Sequence, residues 1–395
     1  MQNQNHVDER FELLALIFRL AGREEYCNEV TDYQKMLGER FKDFINHPAI
    51  NVATHLPVGY DAVAAFAMHM KREGDEFALI KDTYSLLDGR WNETNTVEFL
   101  SWVNMFYKDT GFHAFFLEHM PVYEALSQRF DRQLYNRLNK GWFTAHGLRP
   151  DGFGPVVTPS ESRGGYGISI KDAAGNILKV CPVLCEMEDY SNAMDFLVHE
   201  VCHSFSNPIA EVLYQENAEF RQKCDDAVDE KNMPYYNNGA TMAGEYVTRA
   251  NTILYMAENE SADPLWLMLH EKAQGFPDIA YVYGLLTNSE PIPLPEDAIR
   301  YFLGTDYKIG EEEHTAELGD RIVRWRFVDL LGHTLPVENF HVSQVGNVHG
   351  TQTGDVIYVA DGRWVTVQVD VGPAEGWTPQ HRAYSVLRVG YSAHE

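Results

Sequence analysis

The sequence predicts an α+β fold, in which a mostly helical domain with a small strand pair precedes an all-β C-terminal domain. Two patterns support this prediction. Apolar residues recur at the three- and four-residue spacing of helices over most of the chain before about residue 290. They alternate one by one with polar residues in the short segment YGISIK, and again from about residue 318 onward, which is the period of strands.

Length and shifts in composition set the expected domain boundaries. A chain of 395 residues is long enough for two or three domains. The segment GLRPDGFGPVVTPSESRGG, residues 147–165, is rich in glycine, proline and serine and indicates a long loop. We therefore expect a first domain over residues 1–305, divided into a helical part at 1–146 and a core at 147–305, and a small β-sandwich or barrel at 318–395.

The N-terminal part is predicted to be helical. The segment DERFELLALIFRLA, residues 8–21, has apolar residues nearly all round, which predicts a buried helix. Asp8 is placed to cap its start and Gly22 to end it. Further helical patterns cover residues 30–45, 60–71, 97–118 and 121–139.

A strand pair is expected after the long loop. YGISIK places Tyr166, Ile168 and Ile170 on one face of a strand. Gly175 and Asn176 then supply a turn, and ILKVCPV returns as the second strand. Beyond the next helix, the spacing predicts helices at about 208–225, 240–258 and 262–273, and the prolines of EPIPLP predict a stiff connection.

The last part of the chain has the alternation of strands. Val323, Trp325 and Phe327 alternate with arginines, and a run of valines near residue 367 alternates with polar residues. Asp361 and Gly362 separate DVIYV from WVTVQVDV and form a dipeptide that favours a tight hairpin turn.

Charge and cysteine content exclude several classes of function. With 58 acidic against 32 basic side chains the formal charge is −26, so we expect no nucleic-acid partner. The longest apolar run, FELLALIFRL, is too short and too interrupted by charge to span a membrane, and the first residues do not have the pattern of a signal peptide. Five cysteines argue against a disulfide-built scaffold.

One helix carries the pattern of a catalytic metal site. In DFLVHEVCHSF, residues 195–205, His199 and His203 are four residues apart and share a helix face, with Glu200 beside them. An apolar stripe lies roughly opposite the two histidines, so we expect them to face a cleft; its members are Met194, Val198, Val201 and Phe205.

These residue types suit hydrolysis with one Zn²⁺ ion. Neutral imidazoles are good zinc ligands, and three protein ligands leave a fourth position for a water whose pKa the ion lowers toward neutrality. As a carboxylate, Glu200 can take a proton from that water, and as an acid it can deliver the proton to the leaving amine. The sequence therefore predicts a zinc peptidase with Glu200 as the general base.

The third ligand is expected to be a carboxylate further along the chain. The continuation SFSNPIAE supplies neither the glycine nor the third histidine of the extended H-E-x-x-H motif. Glu211, Glu216 and Glu219 lie in a charged segment that Asn207-Pro208 is expected to introduce as a new helix. Of these three, Glu211 is the alternative that we retain.

Glu245, in AGEYVTRANTILY, has better support. An apolar stripe of Ala243, Val247, Ala250 and Leu254 lies roughly opposite Glu245 and Arg249, so two helices with apolar backs can present their polar faces to one ion. Arg249 can hold the Glu245 carboxylate in its metal-binding orientation, or the two can form an ordinary surface ion pair. Tyr246, Tyr255 and Arg249 are candidates to stabilise the developing oxyanion.

The two motifs together resemble a known family. HEVCHSFSNP followed by GEYVTRA is similar to the glutamate-ligand zincins (gluzincins), and more closely to the mostly bacterial metallopeptidase-like family of the domain of unknown function DUF4932. FELLALIFRLAGREEY resembles that family's N-terminal segment, so the likeness covers residues 7–305. The resemblance implies His199, His203 and Glu245 as ligands, Glu200 as the base, a zincin-like fold, and export to the cell envelope or beyond. Without that resemblance, a cytoplasmic location is the alternative.

The resemblance also implies how a peptide or protein substrate binds. In zincins an edge strand above the metal helix pairs with the backbone of an extended peptide, and the strand that contains Tyr166, Gly167, Ile168, Ser169 and Ile170 is the candidate. The alternative is that this strand lies inside its sheet, paired on both sides.

Two other functions compete with peptidase activity. The helical domain can be a scaffold without catalysis, with the C-terminal β-domain holding a glycan or a protein partner. A structural zinc site, in contrast, requires four protein ligands. Cys202 is on the side of its helix turned toward the apolar stripe, which argues against its being a fourth ligand.

Overall fold

The computed structural model describes most of the chain before residue 295 and only strands beyond residue 313. The described residues are 5–27, 31–80, 87, 90–149, 151–161, 164–172, 174, 176–228, 236–262, 264–291, 294, 314–318, 321–328, 340–344, 355–360, 363–373 and 388–391.

The described helices are α1 Glu9–Leu20, α2 Glu24–Cys27, α3 Asp32–Phe41, α4 Pro48–His55, α5 Tyr60–His69, α6 Glu93–Thr110, α7 Phe112–Glu118, α8 Met120–Gln133, α9 Lys140–Ala145, α10 Met194–Glu216, α11 Ala218–Asp226, α12 Gly239–Asn259, α13 Pro264–Ala273 and α14 Ile279–Thr287. The strands are β1 Met70–Glu73, β2 Glu76–Leu79, β3 Val156–Thr158, β4 Gly165–Lys171, β5 Ile177–Cys185, β6 His314–Leu318, β7 Arg321–Val328, β8 Phe340–Gln344, β9 Asp355–Ala360, β10 Arg363–Pro373 and β11 Arg388–Tyr391. The predicted α+β class is confirmed. None of the described helices is both long enough and apolar enough to cross a bilayer.

The chain divides into two compact units, Met1–Phe205 and Ser206–Glu395, and the division falls inside α10. The boundaries that we predict at residues 146 and 305 stay predictions.

The first unit contains the predicted strand pair. β4 and β5 are antiparallel, with Tyr166 opposite Val183. Burial alternates along β4, with Tyr166, Ile168 and Ile170 on the buried face as predicted. The third strand, β3, pairs with β5 in parallel, so the sheet order is β3-β5-β4. β3 was not predicted, because three residues within a loop rich in glycine and proline are too few to show the alternation of a strand. Gly175, at the predicted turn, lies outside the described residues.

Helix α1 is buried over most of its length. Phe11 and every residue from Leu13 to Phe18 are buried, which confirms that the helix is enclosed on all sides. The side chain of Asp8 accepts a hydrogen bond from the backbone N–H of Arg10, and Gly22 follows the helix with φ +73°, a conformation that suits glycine. Both predicted end signals are therefore confirmed.

The other N-terminal helices follow the predicted segments with several differences. The short helices α2, α4 and α9 were not predicted. The single helix predicted at 97–118 is wrong, because Gly111 has φ +61° and separates α6 from α7. The helix predicted at 121–139 ends at Gln133. The segment at 60–71 ends as a helix at His69, and Met70 begins a hairpin of β1 and β2 in which Glu73 pairs with Glu76. Gly74 has φ +66° in the two-residue turn, so the dipeptide Gly74-Asp75 was the turn signal that the sequence analysis missed.

The second unit has a helical core between α11, α12, α13 and α14. Phe220, Met242, Tyr246, Phe276 and Ile279 are buried together there. The predicted helices at 240–258 and 262–273 are confirmed as α12 and α13, whereas α14 was not predicted.

The described residues beyond 313 all lie in strands. One sheet has the order β6-β7-β10-β9 with antiparallel neighbours, and β11 pairs with β8. Ala360 is opposite Arg363, as expected for a hairpin, although Asp361 and Gly362 lie outside the described residues. Closure of these strands into a sandwich or barrel stays a prediction.

A buried carboxylate on α1 is hydrogen-bonded to the last residue of β3, to the segment that follows it and to α3. Glu12 accepts hydrogen bonds from the hydroxyls of Thr158 (2.6 Å), Ser160 (2.6 Å) and Tyr33 (3.2 Å). Burial disfavours the charged form and raises the pKa of Glu12 to about 7, although the three hydroxyl donors oppose that shift. The folded chain therefore binds a proton at Glu12 that the unfolded chain releases at lower pH.

Replacing Glu12 by glutamine is expected to change the pH dependence of stability. Because the pKa is raised on folding, the contribution of Glu12 is fully present below about pH 4.5 and is lost as the pH rises through about 7. Relative to E12Q, the wild-type free energy of unfolding should fall by about 3 kcal/mol between pH 4.5 and pH 8, measured by urea denaturation. Glu76→Gln, at an exposed position, is the control. Parallel curves for wild type and E12Q would contradict this account.

Candidate metal centre

Helix α10 has one buried face and one face that carries the predicted ligands. It spans Met194–Glu216. The predicted apolar stripe is confirmed, since all its members are at most 6% exposed: Met194, Val198, Val201 and Phe205. His199 and His203 are partly exposed, and Cys202 is fully buried. The four-residue spacing therefore places both imidazoles on the face turned away from the core.

The prediction that Asn207-Pro208 begins a new helix is wrong. α10 continues through Pro208 to Glu216, and α11 begins only at Ala218. Packing on both sides of the proline explains the continuity. Ser206 is buried and its hydroxyl accepts a hydrogen bond from Asn251 Nδ2 (3.0 Å), while Ala210 belongs to the core of the second unit. Pro208 itself is exposed, where the loss of one helical N–H costs least.

Three side chains converge as the sequence predicts. His199, His203 and Glu245 each offer a ligand atom, and these atoms all lie within 4.8 Å of one another. The Nε2 atoms of the two histidines are 3.2 Å apart, and their rings are nearly perpendicular. Two ligands of a tetrahedral zinc ion with bonds of about 2.05 Å are separated by about 3.3 Å. The imidazole spacing therefore fits a shared metal ion.

Helix α12 supplies the carboxylate. The side chain of Asn238 caps the helix by accepting a hydrogen bond from the N–H of Thr241. Ala243, Val247 and Ala250 are buried as predicted, whereas Leu254 at the end of the stripe is partly exposed. The side chain of Glu245 is 12% exposed.

The retained alternative ligand, Glu211, is not part of this group. Its side chain is exposed and accepts a hydrogen bond from Gln215. Glu211 follows His203 by eight residues on the same helix, which corresponds to about 12 Å along the axis. Glu245 is therefore the carboxylate that the fold brings to the two histidines.

Arg249 is buried beside Glu245, which excludes an ordinary surface ion pair. Arg249 Nε lies 3.4 Å from Glu245 Oε2, and the two side chains are 13% and 12% exposed. Arg249 also donates a 2.6 Å hydrogen bond from Nη1 to Glu271 on α13. Glu271 was missed by the sequence analysis, because nothing in LMLHEKA distinguishes it from a solvated helix residue.

The two tyrosine candidates do not have the placement expected of oxyanion donors. Tyr246 is fully buried in the core of the second unit, and its hydroxyl accepts a hydrogen bond from the N–H of Asp278 (3.3 Å). Tyr255 is also fully buried and follows Glu245 by ten residues, which is about 15 Å along the helix. Neither observation supports a role at the metal group.

Strand β4 lies directly against α10. A methyl carbon added at Gly167 would meet the carbonyl oxygen of Glu200 and lie 2.8 Å from Cβ of His203. One added at Gly165 would lie 2.5 Å from the Phe196 ring and 3.0 Å from Glu200 Oε1. The two glycines therefore allow the strand to approach the helix at Glu200, the predicted general base, and at His203, a predicted metal ligand. Glu200 is only 6% exposed at this contact.

β4 is also an edge strand within the described part of the chain. It pairs with β5 on one side, and β5 separates it from β3. Of the two alternatives, the structure therefore supports the edge strand rather than a strand paired on both sides.

Comparison of the chain with protein-family models, with curated proteins and with solved structures finds no match.

Replacing Gly167 by alanine is expected to separate β4 from α10, because the added carbon has no space between them. We expect a loss of about 1–3 kcal/mol in the free energy of unfolding, as for other overpacked sites, together with weaker zinc binding. Calorimetry and zinc titration measure the two effects.

Gly244→Ala is the matched control for this variant. It adds the same atom in α12 beside Glu245, where the nearest atom is Asn207 Oδ1 at 3.4 Å. Alanine is the better helix former by about 1 kcal/mol, so G244A should be neutral or stabilising. Equal behaviour of G167A and G244A would contradict the close approach of strand and helix.

Proposed function

We propose that this chain is a zinc-dependent peptidase that hydrolyses peptide bonds, with His199, His203 and Glu245 as metal ligands and Glu200 as general base. The observation that carries the proposal is the convergence of three ligand atoms within 4.8 Å from two helices. Two imidazoles and one carboxylate are the donor set of catalytic zinc sites that leave one coordination position open.

Metal binding and proton transfer are assigned to different residues in this proposal. A bound zinc ion would act as a Lewis acid and lower the pKa of a water molecule. Glu200 is adjacent to His199 on α10, and its carboxylate is suited to accept a proton from water and to deliver it to the nitrogen of the leaving amine. Its burial beside Gly165 restricts the carboxylate to few orientations.

The edge strand supports a peptide as the substrate. An extended peptide can pair through backbone hydrogen bonds with β4, which has no strand on its other side among the described residues. Gly165 and Gly167 have no side chains that would separate this strand from Glu200 and His203. A substrate paired with β4 would therefore lie close to the proposed base.

The family resemblance described above supports this proposal. We propose that the chain belongs to the glutamate-ligand zincins, and to the DUF4932 family in particular, because it resembles them in HEVCH and GEYVTRA, the segments that contain the three proposed ligands. Export from the cytoplasm is implied by that membership alone.

Replacing Glu200 by glutamine is expected to abolish hydrolysis and to retain the metal. The amide keeps the size of the side chain but cannot accept the proton, so cleavage of an internally quenched peptide library should fall by at least about 100-fold. Glu188→Gln, at an exposed position before α10, is the control. Full activity of E200Q would remove Glu200 as the base, and an inactive wild type would favour the non-catalytic binding protein.

Replacing Glu245 by alanine is expected to reduce zinc content below one ion per chain, because only two imidazoles remain. Mass spectrometry of the purified proteins measures the metal. Glu211→Ala is the control, since Glu211 lies outside the metal group, and it should retain the wild-type content. Zinc that is unchanged in E245A and reduced in E211A would reverse the assignment.

A further inference from the structure

A buried arginine lies between two carboxylates next to the metal group. Arg249 Nε is 3.4 Å from Glu245 Oε2, and Arg249 Nη1 is 2.6 Å from Glu271 Oε2. The three side chains are only 12–16% exposed. The centre of the guanidinium group lies 4.1 Å from the centroid of the Phe276 ring, which is a cation–π distance. The arginine is thus held on three sides.

The two carboxylates do not contribute equally. Only Glu271 is within hydrogen-bonding distance, and Glu245 is at the longer distance of an ion pair. Glu271 is therefore the main partner of Arg249.

We propose that Glu271 is a positioning residue of the metal site, which holds Arg249 so that the Glu245 carboxylate stays available to the metal. This inference rests on the proposed function. The guanidinium group has a rigid fork of donors. With Nη1 engaged by Glu271 and the plane packed on Phe276, Arg249 presents only Nε to Glu245.

The consequence of losing Glu271 follows from the cost of a buried charge. A buried arginine requires a carboxylate partner, and among the described residues Glu245 would be the one remaining within 4.0 Å. Arg249 could then turn to form a bidentate pair with Glu245 and occupy oxygen lone pairs that a metal ion needs. Metal affinity would fall although Glu271 itself is not a ligand.

The test is a double-mutant cycle on zinc affinity in the full-length protein. The zinc dissociation constants of wild type, E271Q, R249M and the double variant are measured by competition with a chromophoric chelator. E271Q should raise the dissociation constant 10- to 100-fold, which is the usual cost of losing a partner that orients a ligand. In the R249M background the same substitution should change it by less than about threefold, because Glu271 acts through Arg249.

Control variants distinguish the positioning role of Glu271 from a general effect of net charge on zinc affinity and from a loss of folding. Glu216→Gln removes one negative charge at an exposed position of α10 and should leave the zinc dissociation constant unchanged. Thermal unfolding of each metal-free variant shows whether it is folded. Glu271→Asp keeps the charge on a shorter side chain and should raise the dissociation constant by at least about threefold, so it decides the question if E271Q does not fold.

The outcomes distinguish this inference from the proposed function. A wild-type protein that does not bind zinc contradicts both. If the wild type binds zinc, dissociation constants within twofold of wild type for the folded Glu271 variants contradict only the role of Glu271. An effect of E271Q that is equally large in the R249M background also contradicts it, because the residue would then act without Arg249.

Discussion

The proposed site depends on the requirement that helix α10 be apolar on one side and carry ligands on the other. Val198 and Val201 are fully buried on the first side, and they fix the rotation of the helix about its axis. Once that rotation is fixed, the four-residue spacing directs His199 and His203 together, with their Nε2 atoms 3.2 Å apart.

Two further features position the proposed ligands: the close contact between β4 and α10, and the buried pair of Glu245 and Arg249. Gly165 and Gly167 let the backbone of β4 reach the helix at Glu200 and His203, where a larger residue would displace one element from the other. Within the second unit, the carboxylate of Glu245 and the guanidinium group of Arg249 lie 3.4 Å apart, and their side chains are only 12% and 13% exposed. A buried carboxylate and a buried guanidinium group are tolerated because each is the partner of the other. The position of Arg249 then determines which carboxylate oxygen of Glu245 is available to a metal ion.

The sequence predicted the parts of the structure that depend on local periodicity. The buried helix α1, the alternation along β4, the stripe of α10 and the choice of Glu245 over Glu211 all follow from spacing within one element. Features decided by tertiary packing were missed or wrong. Pro208 reads as a helix start but lies within α10, because Ser206 and Ala210 pack on either side of it. The contact of Glu271 with Arg249 depends on the packing of α13 against α12, and the buried position of Tyr246 depends on the packing of α14 against α12. No local sequence pattern encodes the packing of these helices.

The most direct measurement of the central claim is anomalous diffraction at the zinc absorption edge from crystals of the wild-type protein. The account predicts one anomalous peak with ligand distances of about 2.0–2.2 Å to His199 Nε2, His203 Nε2 and a carboxylate oxygen of Glu245. A peak coordinated by other residues, or no peak after incubation with zinc, would contradict it.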